Sequence, residues 1–228
     1  MGKKFELTDK FIINVFGIKL FQIKCTKSFK YAQKGDLGGY VEKEGNLDQE
    51  NDAWVYGNAQ VSGDAQVSGD AQVSGNARVY GDARVSGDAQ VSGNARVYGN
   101  AWVSGDARVS VDAQVYGNAW VYGNAQVYGD AQVSGNAQVY GNAQVYGDAN
   151  IKNNNEHCGF DGFGSCNRHT HAYLTKEKKV EITCGCFRGS IEEFEKKVEE
   201  THSGTIYEKQ YKAIINVIKI KFGLTDLI

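Results

Sequence analysis

The stretch Val61-Ser62-Gly63-Asp64-Ala65-Gln66 is one unit of a six-residue repeat that runs without a slip from Ala53 to Ile151. An aliphatic residue recurs every six positions, and alanine keeps the same period two residues ahead. In Ala-Gln-Val-Ser the side chains alternate, with alanine and valine on one side and polar residues on the other, as an extended strand requires. The Gly-Asp or Gly-Asn that follows tolerates positive φ and favours a corner. Each unit therefore predicts a short strand and a corner.

Three units close a triangle, so we expect eighteen residues in each coil. The repeat then spans about five and a half coils, or roughly 26 Å at an inter-strand spacing of about 4.8 Å. The unit resembles the hexapeptide rule of the left-handed parallel β-helix superfamily, the trimeric LpxA-like proteins, with an aliphatic residue and a small one four residues later. The resemblance covers residues 53–151. It implies a left-handed coil, an exception to the usual right-handed crossover, and a homotrimer.

The flanks predict two further units. Two β-rich runs surround Gly17 in residues 11–25 and indicate a small hairpin. Residues 39–52 indicate a degenerate first coil, because Val41, Leu47 and Ala53 share one six-residue phase. An open coil end exposes apolar surface and unpaired strand edges, so solenoids need caps. We therefore expect a hairpin cap over 1–38, a β-helix over 39–152, and a C-terminal module over 153–228.

The C-terminal module is predicted as ββαα, which makes the chain mainly β with a small α+β module. Residues 169–175 and 180–186 indicate a hairpin, Ser190 begins a capping box, and Gly204 is a plausible helix stop. A second amphipathic helix follows. We expect Gly159–Gly164, and His157, Cys158 and Cys166 around it, to lie in loops. The Gly-Asp-Leu-Gly-Gly-Tyr lead, the repeat and the Cys-Gly-Cys-Phe tail together resemble uncharacterised hexapeptide-repeat proteins of bacteriophages and prophages.

Composition narrows the function classes. The formal net charge is −2, so nothing implies global attraction to nucleic acid, and residues 51–150 carry four Arg against nine Asp. Proline is absent, so nothing interrupts the strand ladders. Five cysteines, an odd number, favour a reducing cytosol. The first ten residues are too polar for a signal peptide, and no apolar run reaches transmembrane length. We expect a cytoplasmic protein, in a bacterial host cell, with no membrane partner.

Residues eighteen apart should lie above one another, which sorts the outward aromatic and arginine residues into three faces. One face carries Arg78, Tyr80, Arg96, Tyr98 and Tyr116; a second carries Arg84, Trp102, Trp120, Tyr122 and Tyr140; a third carries Trp54 and Tyr56 at one end and Tyr128 and Tyr146 at the other. Such ladders stabilise a sheet without any ligand, by roughly 0.2–1 kcal/mol for each pair. The second face also suits self-association. The Arg–Tyr face suits nucleotides or single-stranded nucleic acid.

An acyltransferase is a further alternative, because the superfamily contains many enzymes that use acyl-coenzyme A with a histidine base. The repeat has no histidine and no inserted loop, and all four histidines follow it. Any general base would have to come from the C-terminal module. Fold similarity alone does not establish this activity.

Zinc binding in the tail depends on the hairpin register. If the loop is even in length, His171 faces Cys184 and His169 faces Cys186, which would make a Cys₂His₂ cluster. If it is odd, Ala172 and Leu174 face Cys184 and Ile182, and both cysteines become small buried apolar groups. The second register groups apolar residues better and is favoured, so we expect no bound cofactor.

We expect a non-enzymatic structural, assembly or interaction protein of phage origin, in which a rigid β-helix presents capping modules and aromatic faces to an unknown protein partner. The alternative is a protein that binds a nucleotide or single-stranded nucleic acid and interferes with a host system. Val111 replaces the glycine of every other full unit. It either strains one corner or marks a packing site, and the sequence leaves both readings open.

Overall fold

The computed structural model describes residues 2–224; Met1 and residues 225–228, the extreme ends of the first and third predicted units, lie outside the described residues. Long strands with mixed burial precede the repeat. They are β1 (Phe5–Ile13), β2 (Lys19–Cys25) and β3 (Leu37–Val41), followed by a 3₁₀ turn at Glu44–Asn46. The hairpin predicted around Gly17 is present, because β1 pairs antiparallel with β2. β2 in turn pairs antiparallel with β3.

Each repeat unit contributes one short strand that ends at the Gly-Asp or Gly-Asn corner. These strands are β4 (Trp54–Val55), β5 (Gln60–Val61), β6 (Gln66–Val67), β7 (Gln72–Val73), β8 (Arg78–Gly81), β9 (Arg84–Val85), β10 (Gln90–Val91), β11 (Arg96–Gly99), β12 (Trp102–Val103), β13 (Arg108–Val109), β14 (Gln114–Val115), β15 (Trp120–Val121), β16 (Gln126–Val127), β17 (Gln132–Val133), β18 (Gln138–Val139), β19 (Gln144–Val145) and β20 (Asn150–Ile151).

The strands stack in parallel into a mainly β solenoid of about six turns. Within the repeat the paired residues are eighteen apart, as in Val91 with Val109 and Val103 with Val121. The pairs assemble three ladders: β3-β5-β8-β11-β14-β17-β20, which continues the sheet of β1 and β2, then β4-β7-β10-β13-β16-β19 and β6-β9-β12-β15-β18. The valine and alanine of every unit are buried inside. The predicted alternation of inward aliphatic and outward polar residues is therefore confirmed.

The first turn departs from the predicted phase. Val41 pairs with Val61 and Leu47 with Val67, both twenty residues apart, whereas Val55 pairs with Val73 at eighteen. The prediction that Val41, Leu47 and Ala53 share one phase is therefore wrong for Ala53. The physical reason is the segment 48–52, a corner longer by two residues than the others, which places Ala53 in the alanine row.

Trp54 lies in the outward row that the period predicts, because it pairs with Gln72, but it is not at the surface. The residue is 2% exposed. Its ring packs edge-on against Phe5, with centroids 6.4 Å apart, and against Phe29, with centroids 5.4 Å apart. The N-terminal segment therefore covers this position and extends the core across the outside of the first turn.

Carbonyl groups at the start of the solenoid accept hydrogen bonds from buried side chains. The ammonium of Lys4 donates to the carbonyls of Asn51 and Ala53, at 2.5 and 2.9 Å. Burial lowers the pKa of Lys4. The Asn46 amide donates to the carbonyls of Gly63 and Ala65 at 3.0 and 2.9 Å. These bonds satisfy backbone groups that would otherwise be buried without a partner.

The corner at Val111 is strained. Corner glycines of the repeat adopt positive φ, and Val111 adopts it too, at 66°. A β-branched residue in this left-handed region costs roughly 1–2 kcal/mol. Its side chain is 51% exposed, so burial offsets little of this cost. The positive φ and the exposed side chain of Val111 therefore favour the first alternative, a strained corner, over a packing site.

Val111→Gly is expected to raise the melting temperature. Relief of the strained φ stabilises the folded state, and the greater freedom of glycine when unfolded offsets part of this. We expect a net gain of about 1 kcal/mol, or roughly 2–4 °C in a chain of this size. Differential scanning calorimetry measures the change. Gly105→Val, at a corner with φ of 67°, is the reciprocal control and should lower the melting temperature. A fall for Val111→Gly would show that the valine side chain is itself stabilising.

The C-terminal module is a four-stranded antiparallel sheet followed by two helices. Its elements are β21 (His157–Phe163), β22 (Arg168–Leu174), β23 (Val180–Cys184), β24 (Phe187–Gly189), α1 (Ile191–His202) and α2 (Ile206–Lys221). The predicted hairpin, the Ser190 capping box and both helices are present. The loop predicted over Gly159–Gly164, including His157 and Cys158, is wrong, because most of it belongs to strand β21. No helix within residues 2–224 has the length and apolarity to span a membrane.

The C-terminal sheet packs on the last turn of the solenoid. Tyr173 is fully buried in the solenoid core; its hydroxyl accepts from the Tyr146 amide at 3.2 Å and donates to Glu181 at 2.6 Å. The Thr183 hydroxyl donates to the Gln144 carbonyl at 2.9 Å. Ala149 forms an isolated antiparallel bridge with Thr175. Side chains of the module therefore satisfy backbone groups that the last turn leaves unpaired.

Candidate functional site

Aromatic side chains on the outside of the solenoid form continuous stacks. Tyr80, Tyr98 and Tyr116 lie on successive turns, with neighbouring ring centroids 4.9 Å apart and planes within 3° of parallel. Phe16, from the tip of the N-terminal hairpin, packs against Tyr80 with centroids 5.3 Å apart. The prediction that outward residues eighteen apart lie above one another is therefore confirmed for this row. A Tyr98–Gln114 hydrogen bond of 3.4 Å helps to hold the row in place.

Two arginines lie beside this tyrosine row. Arg78 and Arg96 are direct partners in adjacent strands β8 and β11. Burial raises the pKa of Tyr80 and of Tyr98, and the neighbouring Arg96 opposes the shift. Two like charges on adjacent rungs repel each other, so an anion placed between them would be stabilised. Neither arginine forms an ion pair with a carboxylate within residues 2–224.

A second outward row carries the two exposed tryptophans. Trp102 and Trp120 are direct partners in β12 and β15, and their rings stack with centroids 5.0 Å apart. They are 36% and 42% exposed. The guanidinium of Arg84 lies 5.1 Å from the Trp102 ring centroid, which is a cation–π contact. The row ends at Gln138.

Two shorter tyrosine stacks complete the aromatic surface. Tyr122 and Tyr140 have centroids 5.4 Å apart, as have Tyr128 and Tyr146. Tyr140 is 55% exposed. It stands at the junction between the solenoid and the C-terminal module, where it lines a cavity.

Corner asparagines form hydrogen-bonded ladders that the sequence reasoning did not single out. The amide of Asn76 donates to Asn94 at 3.2 Å, and that of Asn94 donates to Asp112 at 3.0 Å. The pairs Asn100–Asn118, Asn118–Asn136 and Asn124–Asn142 repeat the pattern at 3.1 Å. The eighteen-residue recurrence of Asn in the Gly-Asn corners was the available signal. These ladders fix the corners between the outward rows.

The hairpin register separates the proposed zinc ligands. His171 pairs with Thr183 and Cys184 with Thr170, so the even-loop arrangement of His169, His171, Cys184 and Cys186 is wrong. The loop between the two strands has five residues, an odd number, as the favoured register requires. The strands are offset from that register, however, so that Cys184 pairs with Thr170 and not with Ala172. Cys184 is buried, as expected, but Cys186 is exposed. Within residues 2–224 no three His, Cys, Asp or Glu residues are placed to hold one metal ion.

Three histidines instead meet on the other face of that sheet. His171 Nδ1 lies 3.3 Å from the Gln144 carbonyl oxygen, and His171 Nε2 lies 3.0 Å from His157 Nδ1. Burial, reinforced by the Lys221 ammonium, lowers the pKa of His157 to about 4. Burial, with His157 beside it, lowers the pKa of His171 to about 3. Both rings are therefore neutral at pH 7.

His169 forms the remaining wall of this cluster. Its Nδ1 lies 2.7 Å from the Asp161 carboxylate. Its ring lies directly over Gly159, where an added Cβ would come within 2.6 Å of Cε1. The histidines and Asp161, together with Tyr122 and Tyr140, line a cavity of about 420 Å³. This volume is within the range of small-molecule sites.

Sequence reasoning missed His157 and Asp161 as members of one cluster. The signal was present: residues 157, 159 and 161 share one face of a strand, as do 169, 171 and 173. The pairing of Gly159 with His171 brings the two faces together. Glycine is depleted from strands, so the glycine-rich stretch Gly159–Gly164 gives only a weak strand signal.

Comparison with known proteins supports the architecture. Residues 71–87, 89–105, 113–129, 125–141 and 131–147 match the family model described as YdcK Beta solenoid repeat. No curated protein matches the chain. Together with the stacked parallel ladders, the match identifies a β-solenoid repeat protein.

Proposed function

We propose that this protein is a non-enzymatic assembly protein that self-associates through the exposed tryptophan row of its solenoid. The observation that carries the proposal is the stacked pair Trp102–Trp120 at the surface of a parallel ladder. Large aromatic residues are depleted from ordinary exposed surface and enriched where proteins bind each other. The partner is a second copy of the chain, because a face of stacked indoles, Arg84 and glutamines can complement itself.

The resemblance to trimeric hexapeptide-repeat proteins refines this proposal. It implies a left-handed solenoid with three hexapeptides in each coil, and a homotrimer. The eighteen-residue pairing supports three units for each coil. In this arrangement the N-terminal hairpin and the C-terminal module cap the two ends and leave the tryptophan row exposed for contact. Phage origin and a cytoplasmic location remain predictions from the sequence.

The double substitution Trp102→Gln with Trp120→Gln is expected to dissociate the assembly. Glutamine already occupies this row at Gln66 and Gln138, so the fold tolerates it. Buried interface tryptophans contribute about 2 kcal/mol or more each, so the pair should weaken association roughly a thousandfold. Sedimentation velocity over a range of concentrations measures this change.

The matched control is Tyr98→Ser with Tyr116→Ser on another face, where serine is also native to the repeat. It should leave the sedimentation coefficient of the assembly unchanged. If the tyrosine variant dissociates and the tryptophan variant does not, the contact lies on the Arg–Tyr face and the proposed surface is wrong.

One observation favours a second candidate function, the binding of an anion such as a nucleotide or single-stranded nucleic acid. Arg78 and Arg96 are adjacent and form no ion pair with the described carboxylates, and they stand beside a stacked tyrosine row that offers a face to a base. Arg78→Ala with Arg96→Ala should abolish retention of single-stranded oligonucleotides in a filter-binding assay. Unchanged retention, or none by the parent protein, would remove this candidate. The acyltransferase alternative remains a prediction from the sequence.

A further inference from the structure

Two of the histidines that line the cavity between the Tyr122–Tyr140 stack and the C-terminal sheet each have a buried ring nitrogen with no hydrogen-bond partner among residues 2–224. These nitrogens are Nε2 of His157 and Nε2 of His169. His157 is 7% exposed, and the side chain of His169 is 10% exposed. Buried polar atoms are almost always paired, so two unpaired ring nitrogens lining one cavity call for an explanation.

The hydrogen bonds determine which nitrogens carry the protons. The Gln144 carbonyl only accepts, so His171 must donate from Nδ1, and its Nε2 is then an acceptor in the neutral ring. His157 therefore donates from Nδ1 to His171, which leaves a lone pair on His157 Nε2. Asp161 likewise accepts from His169 Nδ1, which places the lone pair of the neutral tautomer on Nε2. With Nδ1 of each ring donating, the neutral tautomers of His157 and His169 leave both unpaired Nε2 atoms as hydrogen-bond acceptors.

The charges around the cavity indicate whether the ligand that donates to these nitrogens is a cation or an anion. Among the described residues that line the cavity, Asp161 is the one acidic residue, and none is a lysine or an arginine. The Lys221 ammonium contacts the Asn154 carbonyl at 3.5 Å and is near enough to lower the pKa of His157, so a cation in the cavity is favoured on the side nearer Asp161. The neighbouring Glu156 is paired with Lys178 at 3.0 Å. An anion would face a carboxylate and two lone pairs, whereas a cation that donates N–H bonds would satisfy all three.

The stacked rings of Tyr122 and Tyr140 give the same cavity an aromatic wall. A planar cation can lie against such rings through a cation–π contact. We propose that this cavity binds a guanidinium group, as a small molecule or an arginine side chain, which donates to His157 and His169 and lies against Tyr140 with Asp161 balancing its charge. The site lies at the C-terminal end of the face that carries the tryptophan row, whose last member, Gln138, lines the cavity. The contacts that bind the ligand do not include Trp102 or Trp120 and do not depend on the proposed assembly.

Methylguanidinium is the probe, added to the full chain at constant ionic strength and pH 7. Long-range ¹H–¹⁵N spectra report Nε2 of each histidine directly. We expect saturable shifts at His157 and His169 and none at His202. Tetramethylammonium is the matched control ligand, because it carries the same charge but has no N–H donor. It should produce no saturable shift at either nitrogen.

Three variants locate the site. His157→Phe and His169→Phe remove the lone pairs, and Tyr140→Ser removes the exposed ring while leaving the solenoid core intact. Each should weaken methylguanidinium binding by about tenfold or more. Tyr128→Ser, in the corresponding stack on another face, should have no effect. If His157→Phe does not fold, the other two variants still decide the outcome.

Several results would overturn the proposal. Equal binding of tetramethylammonium would mean that the histidine lone pairs do not select the ligand. Saturable binding of Zn²⁺ or Ni²⁺ at the same nitrogens, with no response to methylguanidinium, would assign the site to a metal. No shift with any probe would show that the cavity binds solvent alone.

Discussion

Val103→Asp is expected to prevent the solenoid from folding through its central turns. Val103 is fully buried, and both of its neighbours in the ladder, Val85 and Val121, are fully buried valines. The substitution removes roughly 1.5–3 kcal/mol of apolar burial. It also places a carboxyl group where no donor reaches it, at a cost of several kcal/mol even when protonated. The sum exceeds about 5 kcal/mol, which is comparable with the whole stability of an ordinary domain.

Far-ultraviolet circular dichroism during thermal unfolding measures this effect. We expect Val103→Asp to be insoluble or to lack a cooperative transition. Ser104→Asp is the control, because it introduces the same group one residue along, on the outward side of the strand. It should shift stability by less than about 1 kcal/mol. A Val103→Asp protein with the parent's melting temperature would contradict the buried valine row.

Gly39→Ala is expected to detach the N-terminal segment from the first turn. A Cβ at this position would come within 2.7 Å of the Ala59 carbonyl oxygen and of Val55 Cγ1. The carbonyl belongs to the backbone and accepts from the Tyr40 amide at 2.9 Å, so it cannot move without loss of that bond. We expect a loss of about 3 kcal/mol, or roughly 6–12 °C in melting temperature.

Gly45→Ala is the matched control, since a Cβ at Gly45 would meet nothing within 4 Å. It should change the melting temperature by no more than about 2 °C. Hydrogen exchange of the Gly39→Ala variant should be fastest in β1, β2 and β3, with the central turns unaffected, because each turn of a solenoid contacts only its neighbours. Equal stability of the two alanine variants would mean that β3 does not pack closely on the first turn.

The repeat could be predicted because its physical requirements are local. A period of six with valine and alanine on one side admits few solutions, and the outward rows follow from the register alone. The first turn was harder to predict, because the two additional residues in segment 48–52 are invisible to a count of aliphatic positions. The burial of Trp54 could not be predicted for a related reason. Whether an outward side chain is covered depends on a segment distant in sequence, here the one that carries Phe5 and Phe29.

The histidine cavity could not be predicted from the repeat at all. It depends on the antiparallel pairing of β21 with β22. Strand β21 contains two glycines, Gly159 and Gly162, and Gly164 follows just beyond its end. Gly159 is required there because the His169 ring occupies the space of its missing side chain. Gly159 thus weakens the sequence signal for strand β21 and at the same time leaves the space in which the histidine cluster forms. Which side chains line the cavity also depends on how the sheet packs on Gln144 and Tyr140.

The mass of the native assembly tests the central claim most directly. Native mass spectrometry of the full chain, purified without chelator and measured over a range of concentrations, distinguishes the possible states. The account predicts a homo-oligomer, with three copies as the superfamily resemblance implies, that dissociates when Trp102 and Trp120 are replaced. A parent protein that stays monomeric at every concentration would contradict it.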